Sequence, residues 1–90
     1  MVWVYMLKCS DNSYYTGWTN SLEKRVKTHA RGQGSRYTRG RLPIRLVYCE
    51  KMTDKNEALR REHSIKKLSR SDKNQLVNKD TAGQTCGILK

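Results

Sequence analysis

The sequence predicts an α+β domain, α/β in the broad sense, with elements in the order β-β-α-β-α-α. Three observations carry this. Two runs rich in β-branched and aromatic residues, 2–8 and 14–19, flank the polar Ser10-Asp11-Asn12-Ser13, which has turn chemistry. Asn20 with Glu23 and Asp54 with Glu57 have capping-box spacing, and each pair opens a stretch with apolar residues at helical intervals. Between those stretches, the run around Ile44, Leu46, Val47 and Tyr48 returns to strand character.

The first two strands read as a hairpin, and its register decides whether two tyrosines can cooperate. An odd-length loop, taken as Asp11-Asn12-Ser13, sets odd positions opposite odd positions, so Tyr5 and Tyr15 share one face; an even loop parts them. A first helix follows over residues 21–31, with Leu22, Val26 and Ala30 on one stripe, and Gly32-Gln33-Gly34 stops it. Residues 31–45 carry five arginines, Tyr37 and no acid, a composition that suits a solvated loop. The third strand spans 42–51, with Pro43 near its start where a missing N–H is tolerated. A second helix runs over 54–68, and Ser69 or Ser71 caps a short third one ending near Val77. In the second helix Ala58, Glu62 and Ile65 share a face, flanked by Leu59 and Leu68, so a carboxylate stands in the middle of the surface that packs on the sheet. The domain is expected to occupy residues 1–78, with 79–90 as a flexible tail that has neither period nor many large apolar groups.

Ninety residues build one modest core, so any site must lie on its surface. With Lys+Arg 19 against Asp+Glu 8 the net charge is +11, which favours a polyanion, nucleic acid first, as partner. Cys9, Cys49 and Cys86 are odd in number and have neither C-x-x-C nor zinc spacing, so a disulfide framework and a zinc site are not indicated. No apolar run reaches membrane-spanning length, and a monomer in the reducing cytoplasm is expected, with no membrane partner. Phosphate-cradling glycine loops of the nucleotide-cofactor enzymes and a helix-turn-helix pattern are both missing.

Hydrolysis of a phosphodiester needs a base near the attacking water, a cation on the non-bridging oxygens and a ligand for a metal. Tyr5 and Tyr15 are candidate activators of water, although a phenol of ordinary pKa near 10 needs the field of Arg25 or of a metal to act near neutrality. The plainer alternative is two half-buried packing tyrosines, against which Gly17 stands as a place where side-chain bulk is removed beside Tyr15. Arg25 and His29 lie one turn apart at the border of the apolar stripe. Either they are a snorkelling arginine and a surface histidine, or they clamp a phosphate with His29 as auxiliary acid or phosphate ligand. Glu62 either pairs with Arg60, Arg61 or Arg25, or holds one divalent ion, most simply Mg²⁺, whose other ligands are water and phosphate. Arg36, Tyr37, Arg39 and Arg41, with Lys66, offer a track for backbone phosphates and a ring for stacking; the alternative is charge that merely solvates a loop.

Trp3-Val4-Tyr5, Tyr15-Thr16-Gly17, Leu22-x-x-Arg25-x-x-x-His29 and Ala58-Leu59-x-x-Glu62-x-x-Ile65-Lys66 resemble, in order and spacing, the GIY-YIG nuclease superfamily. Residues 2–77 are similar to its small bacterial single-domain members, which share segments such as Ser35-Arg36-Tyr37-Thr38. Trp3, Val4 and Thr16 replace the first glycine and both isoleucines of the family's name. The resemblance implies a three-stranded antiparallel sheet flanked by helices, and metal-dependent cleavage of one DNA strand per site; Mg²⁺ or Mn²⁺ is the expected ion and repair or recombination the expected setting, with RNA left open as a substrate. It implies paired roles for Tyr5 and Tyr15, a phosphate contact for Arg25 and metal binding for Glu62. Asn74 or Asn78 stands as counterpart of an asparagine that many relatives carry late in the domain. Without a separate recognition domain, weak site choice is expected. The reading from another class is a non-catalytic nucleic-acid-binding module that keeps the fold and its basic face.

Overall fold

The computed structural model describes residues 2–79. Strands β1 (Val2–Lys8), β2 (Tyr14–Thr19) and β3 (Arg45–Met52) form one antiparallel sheet in the order β2-β1-β3. Around it lie α1 (Leu22–Ala30), α2 (Arg36–Arg39), α3 (Lys55–Lys66) and α4 (Arg70–Lys79). The expected order holds, with the short α2 added inside the arginine-rich loop.

β1 takes the centre because it is apolar on both faces, as a strand covered on two sides must be. Val4 and Met6 pack with Tyr48, Met52, Ala58 and Ile65 on one face, while Tyr5 and Leu7 pack with Leu22, Val26 and Cys49 on the other. The helices are thereby divided: α1 covers the tyrosine face and α3 the opposite one. Each fully buried aliphatic side chain, Val4, Leu7 and Ile65 among them, contributes about 1.5–3 kcal/mol. Thr16, on the face of Val4 and Met6, buries a hydroxyl that no described residue bonds.

The hairpin has the expected parity and a different centre. Lys8 faces Tyr14, and the Cys9 N–H donates to the Ser13 carbonyl at 2.9 Å, so the loop is Ser10-Asp11-Asn12 rather than Asp11-Asn12-Ser13. Asn12 sits at φ 68°, a left-handed position that asparagine tolerates. Asp11 fixes the far side by accepting from both the N–H and the hydroxyl of Ser13. The shift by one residue sets Gly17, not Thr19, opposite Tyr5.

The helix ends differ in instructive ways. Asn20 and Glu23 do not form a capping box: the N-cap is Ser21, which makes no side-chain cap bond, and Glu23 runs along the helix to Lys27 at 3.0 Å. Asn20 stands one residue too early for the spacing to work, and Thr19 Oγ1 accepts the Ser21 N–H instead. At α3 half of the expected box forms: Asp54 is the N-cap and accepts from the Glu57 N–H at 2.8 Å, but the Glu57 carboxylate reaches back to the Thr53 N–H at 3.2 Å rather than to that of Asp54. Leu59 is exposed rather than flanking the core, while Leu68 packs against it. β3 begins at Arg45, after Pro43, whose bond to Leu42 is cis.

Ser69 caps α4 through the Asp72 N–H. The helix is tied to the hairpin by the Tyr14 hydroxyl donating to Asn74 at 2.5 Å and by Arg70 against the Tyr14 ring and the Asn12 carbonyl. Asn74 therefore serves as an anchor for α4. Residue 79, expected to begin the tail, is helical; the rest of that tail and Cys86 lie outside the described residues.

Candidate active site

β1 and β2 present Tyr5 and Tyr15 on the face covered by α1, with ring centroids 6.4 Å apart. Between them Gly17 leaves the room the rings use. A Cβ there would lie 2.7 Å from the Tyr5 hydroxyl oxygen and 3.2 Å from the Tyr15 ring. The sequence suggested relief beside Tyr15; the larger relief is for Tyr5.

Along β2, an edge strand, a cavity of about 300 Å³ is lined by Tyr5, Tyr15, Gly17 to Asn20, Arg25 and Glu62. Two phenols from neighbouring strands, a guanidinium from α1 and a carboxylate from α3 thus meet at one concavity. Tyr5 is itself only 2 % exposed. Burial raises its pKa well above the ordinary phenol value, the neighbouring Tyr15 adds to this, and Arg25 opposes it. It is a neutral phenol at physiological pH.

His29 is neither a surface residue nor placed to touch a phosphate. It is 1 % exposed, behind the tyrosines, with ring centroids 5.9 Å from Tyr5 and 5.1 Å from Tyr15. Nε2 lies 3.0 Å from the Tyr5 hydroxyl and Nδ1 lies 2.8 Å from Thr38 Oγ1, so both ring nitrogens are engaged. Position 29 borders the Leu22/Val26 stripe closely enough to turn inward, where a hydroxyl on each side satisfies it. Burial and then the charge of Arg25 lower its pKa, which keeps it neutral.

Glu62 pairs with none of the expected arginines. Its Oε2 accepts from Lys66 Nζ at 2.8 Å across one helical turn, and its side chain is 16 % exposed. Arg61 instead bonds Glu50, which also takes the Tyr48 hydroxyl. No group of three or more His, Cys, Asp and Glu side chains lies together among the described residues. A single carboxylate facing an open cavity, with one oxygen held only by an exposed lysine, suits an ion that keeps most of its ligands as water and substrate oxygens. Glu62 therefore fits one divalent cation of the Mg²⁺ kind, and Lys66 is the group that would have to yield.

Beside the cavity, the Tyr37 ring is 6.1 Å from that of Tyr15 and is partly exposed. Arg41 stacks on it at 4.0 Å, and also bonds Asp11 at 2.9 Å and the Tyr37 carbonyl. Arg36 and Arg39 stand exposed on α2 with no ion pair among the described residues. The sequence reading missed Ser35 and Thr38, which form a reciprocal capping box on α2, and the close approach of Gly34 to His29. Their signal was the S-x-x-T spacing, a box closed by threonine in place of glutamate or glutamine.

The family model described as the GIY-YIG catalytic domain matches residues 1–76. A UPF0213 protein of Clostridium perfringens is 58% identical over 78 residues, 87% of this chain and 84% of the relative. The solution NMR structure of a UPF0213 protein from Bacillus halodurans is similar at TM-score 0.59 and 48% identity, covering 90% of this chain and 87% of that one. A second NMR structure, of a protein from E. faecalis, is similar at TM-score 0.57 and 32% identity, covering 98% and 88%.

Proposed function

Because the chain belongs to the GIY-YIG nuclease family, among the UPF0213 proteins, we propose that it is a metal-dependent DNA endonuclease that nicks one strand, acting in repair or recombination. The observation that supports this most is the meeting of Tyr5, Tyr15, Arg25 and Glu62 at one cavity. RNA is the alternative polymer for the same chemistry.

Arg25 takes the non-bridging oxygens of the scissile phosphate and stabilises the charge that grows there. The attacking water stands against the two phenols and passes one proton to the Tyr5 oxygen as Tyr5 gives its own hydroxyl proton to His29, which returns it by the same route to solvent after the reaction. Tyr5 is the one with an outlet, since its hydroxyl already meets His29 Nε2 at 3.0 Å and a neutral imidazole accepts a proton. The water oxygen bonds to phosphorus, the bond from phosphorus to the departing sugar oxygen breaks, and solvent at the open side of the cavity reprotonates that oxygen. Glu62 would hold a divalent ion, which when bound would supply further charge neutralisation on the phosphate. Lys66, released from Glu62, together with Arg36, Arg39 and the face of Tyr37, binds the flanking backbone and a base.

A second reading, a non-catalytic nucleic-acid-binding module, is favoured by one feature: Lys66 already neutralises the carboxylate that the metal would use. Nicking of supercoiled plasmid and of branched DNA with Mg²⁺ or Mn²⁺ separates the two. Arg25→Ala is expected to lose on the order of 10²-fold to 10³-fold in rate with the fold intact, and Glu62→Ala to lose activity together with Mn²⁺ binding. Cleavage by either variant at the wild-type rate overturns the roles assigned. A wild-type protein that binds DNA and leaves it unbroken supports the binding module.

A further inference from the structure

We propose that Thr38 is a positioning residue for this site: its hydroxyl, caged by Ser35, holds His29 as the Nδ1–H tautomer and turns the bare Nε2 toward Tyr5. The purpose of that arrangement rests on the nuclease reading; the tautomer itself does not.

Thr38 stands out on α2 because it is 0% exposed while Arg36, Tyr37 and Arg39 around it are exposed. A hydroxyl has one proton and two lone pairs. Thr38 Oγ1 lies 3.3 Å from the Ser35 N–H, which can only donate, and 3.3 Å from the Ser35 carbonyl, which can only accept. Ser35 offers the Thr38 hydroxyl proton two acceptors on the same side, its carbonyl and its Oγ at 3.1 Å, and offers one donor to a lone pair; in the proposed arrangement that proton stays on the Ser35 side, and the remaining lone pair takes a hydrogen from His29 Nδ1 at 2.8 Å. Ser35 Oγ, 3.1 Å from Thr38 Oγ1, accepts the Thr38 N–H and fixes the hydroxyl in its cage.

Gly34 closes the other side. A Cβ built on it would overlap the His29 ring at Nδ1 and Cγ, so the backbone itself lies against the imidazole and the ring cannot swing away from Thr38. Held this way, Nε2 is left as an acceptor and the Tyr5 hydroxyl must donate to it. The opposite tautomer would present a hydrogen to Tyr5 and could take no proton from it.

The tautomer is readable by long-range ¹H–¹⁵N NMR of ¹⁵N-labelled protein near neutral pH, with His63→Gln assigning the two histidines. The expected wild-type pattern is a protonated Nδ1 and a bare Nε2 at His29. Thr38→Val keeps the shape and removes the acceptor. The tautomer should then shift or mix, and nicking kcat should fall on the order of 10²-fold with little change in KM; Thr38→Ser should restore both. A wild-type His29 protonated at Nε2, or a Thr38→Val protein with the pattern unchanged, overturns the proposal, and the wild-type spectrum decides it even if the valine variant fails to fold. A protein without nicking activity but with the expected tautomer refutes the nuclease reading alone.

Discussion

At the scale of single residues, the enclosed His29 makes stability depend on pH. Burial, and Arg25 after it, put its folded-state pKa below the ordinary 6.5. Below 6.5 the unfolded chain therefore binds a proton that the folded protein does not, and acid drives unfolding. The contribution is complete above 6.5 and is lost as the pH falls toward the lowered value. Urea midpoints taken near neutrality and in mild acid should fall more steeply for wild type than for His29→Gln; equal slopes would mean that the ring is not buried neutral. This burial was hidden in the sequence because the partners of His29 lie far off, Tyr5 at 24 residues and Thr38 at 9. Tyr5, Tyr15, Arg25 and Glu62 were legible because strand alternation and helix period fix which way a side chain leaves its own element. The partner of Glu62 was not, since three arginines and Lys66 were all within reach and only packing chooses among them.

At the scale of elements, the hairpin shows how far local chemistry goes. The alternation of β1 and the polar turn fixed that odd residues face odd residues, which decides the face of both tyrosines. They did not fix the centre, because Ser10, Asp11, Asn12 and Ser13 all suit a turn and the left-handed Asn12 is visible only once the chain is folded. The centre matters for Gly17. Opposite Tyr5, it leaves no space for a methyl group, and the Tyr5 hydroxyl cannot retreat because His29 holds it. Gly17→Ala is expected to fold and to lose on the order of 10²-fold in nicking rate, the usual cost of displacing a reacting group by about 1 Å. Full activity in that variant would show that Tyr5 need not be held in place. α2 escaped detection for a different reason: four residues rich in arginine have no apolar stripe to betray a period.

At the scale of the molecule, the sheet divides the core into two clusters and leaves its β2 edge for the cavity, while the net charge of +11 surrounds both. No helix among the described residues is long and apolar enough to cross a membrane. The charge is not evenly available. Arg36 and Arg39 are unpaired among the described residues, whereas Arg41 is committed to Asp11 and Tyr37. Duplex affinity measured between about 50 and about 200 mM salt should therefore lose about 0.9 of log–log slope with Arg36→Ala and again with Arg39→Ala. Arg41→Ala should change it less, and equal effects from all three would mean that the Asp11 contact gives way on binding. Composition foretold a basic surface but not which cations are spoken for, because that depends on which loops fold together. The placement of Thr38 between two outward arginines also bears on redesign. A foreign loop grafted over residues 34–40 would remove the prop behind His29 and Tyr5 along with the exposed Arg36 and Arg39, so any change of this surface would have to be built around a retained Gly-Ser-x-x-Thr frame.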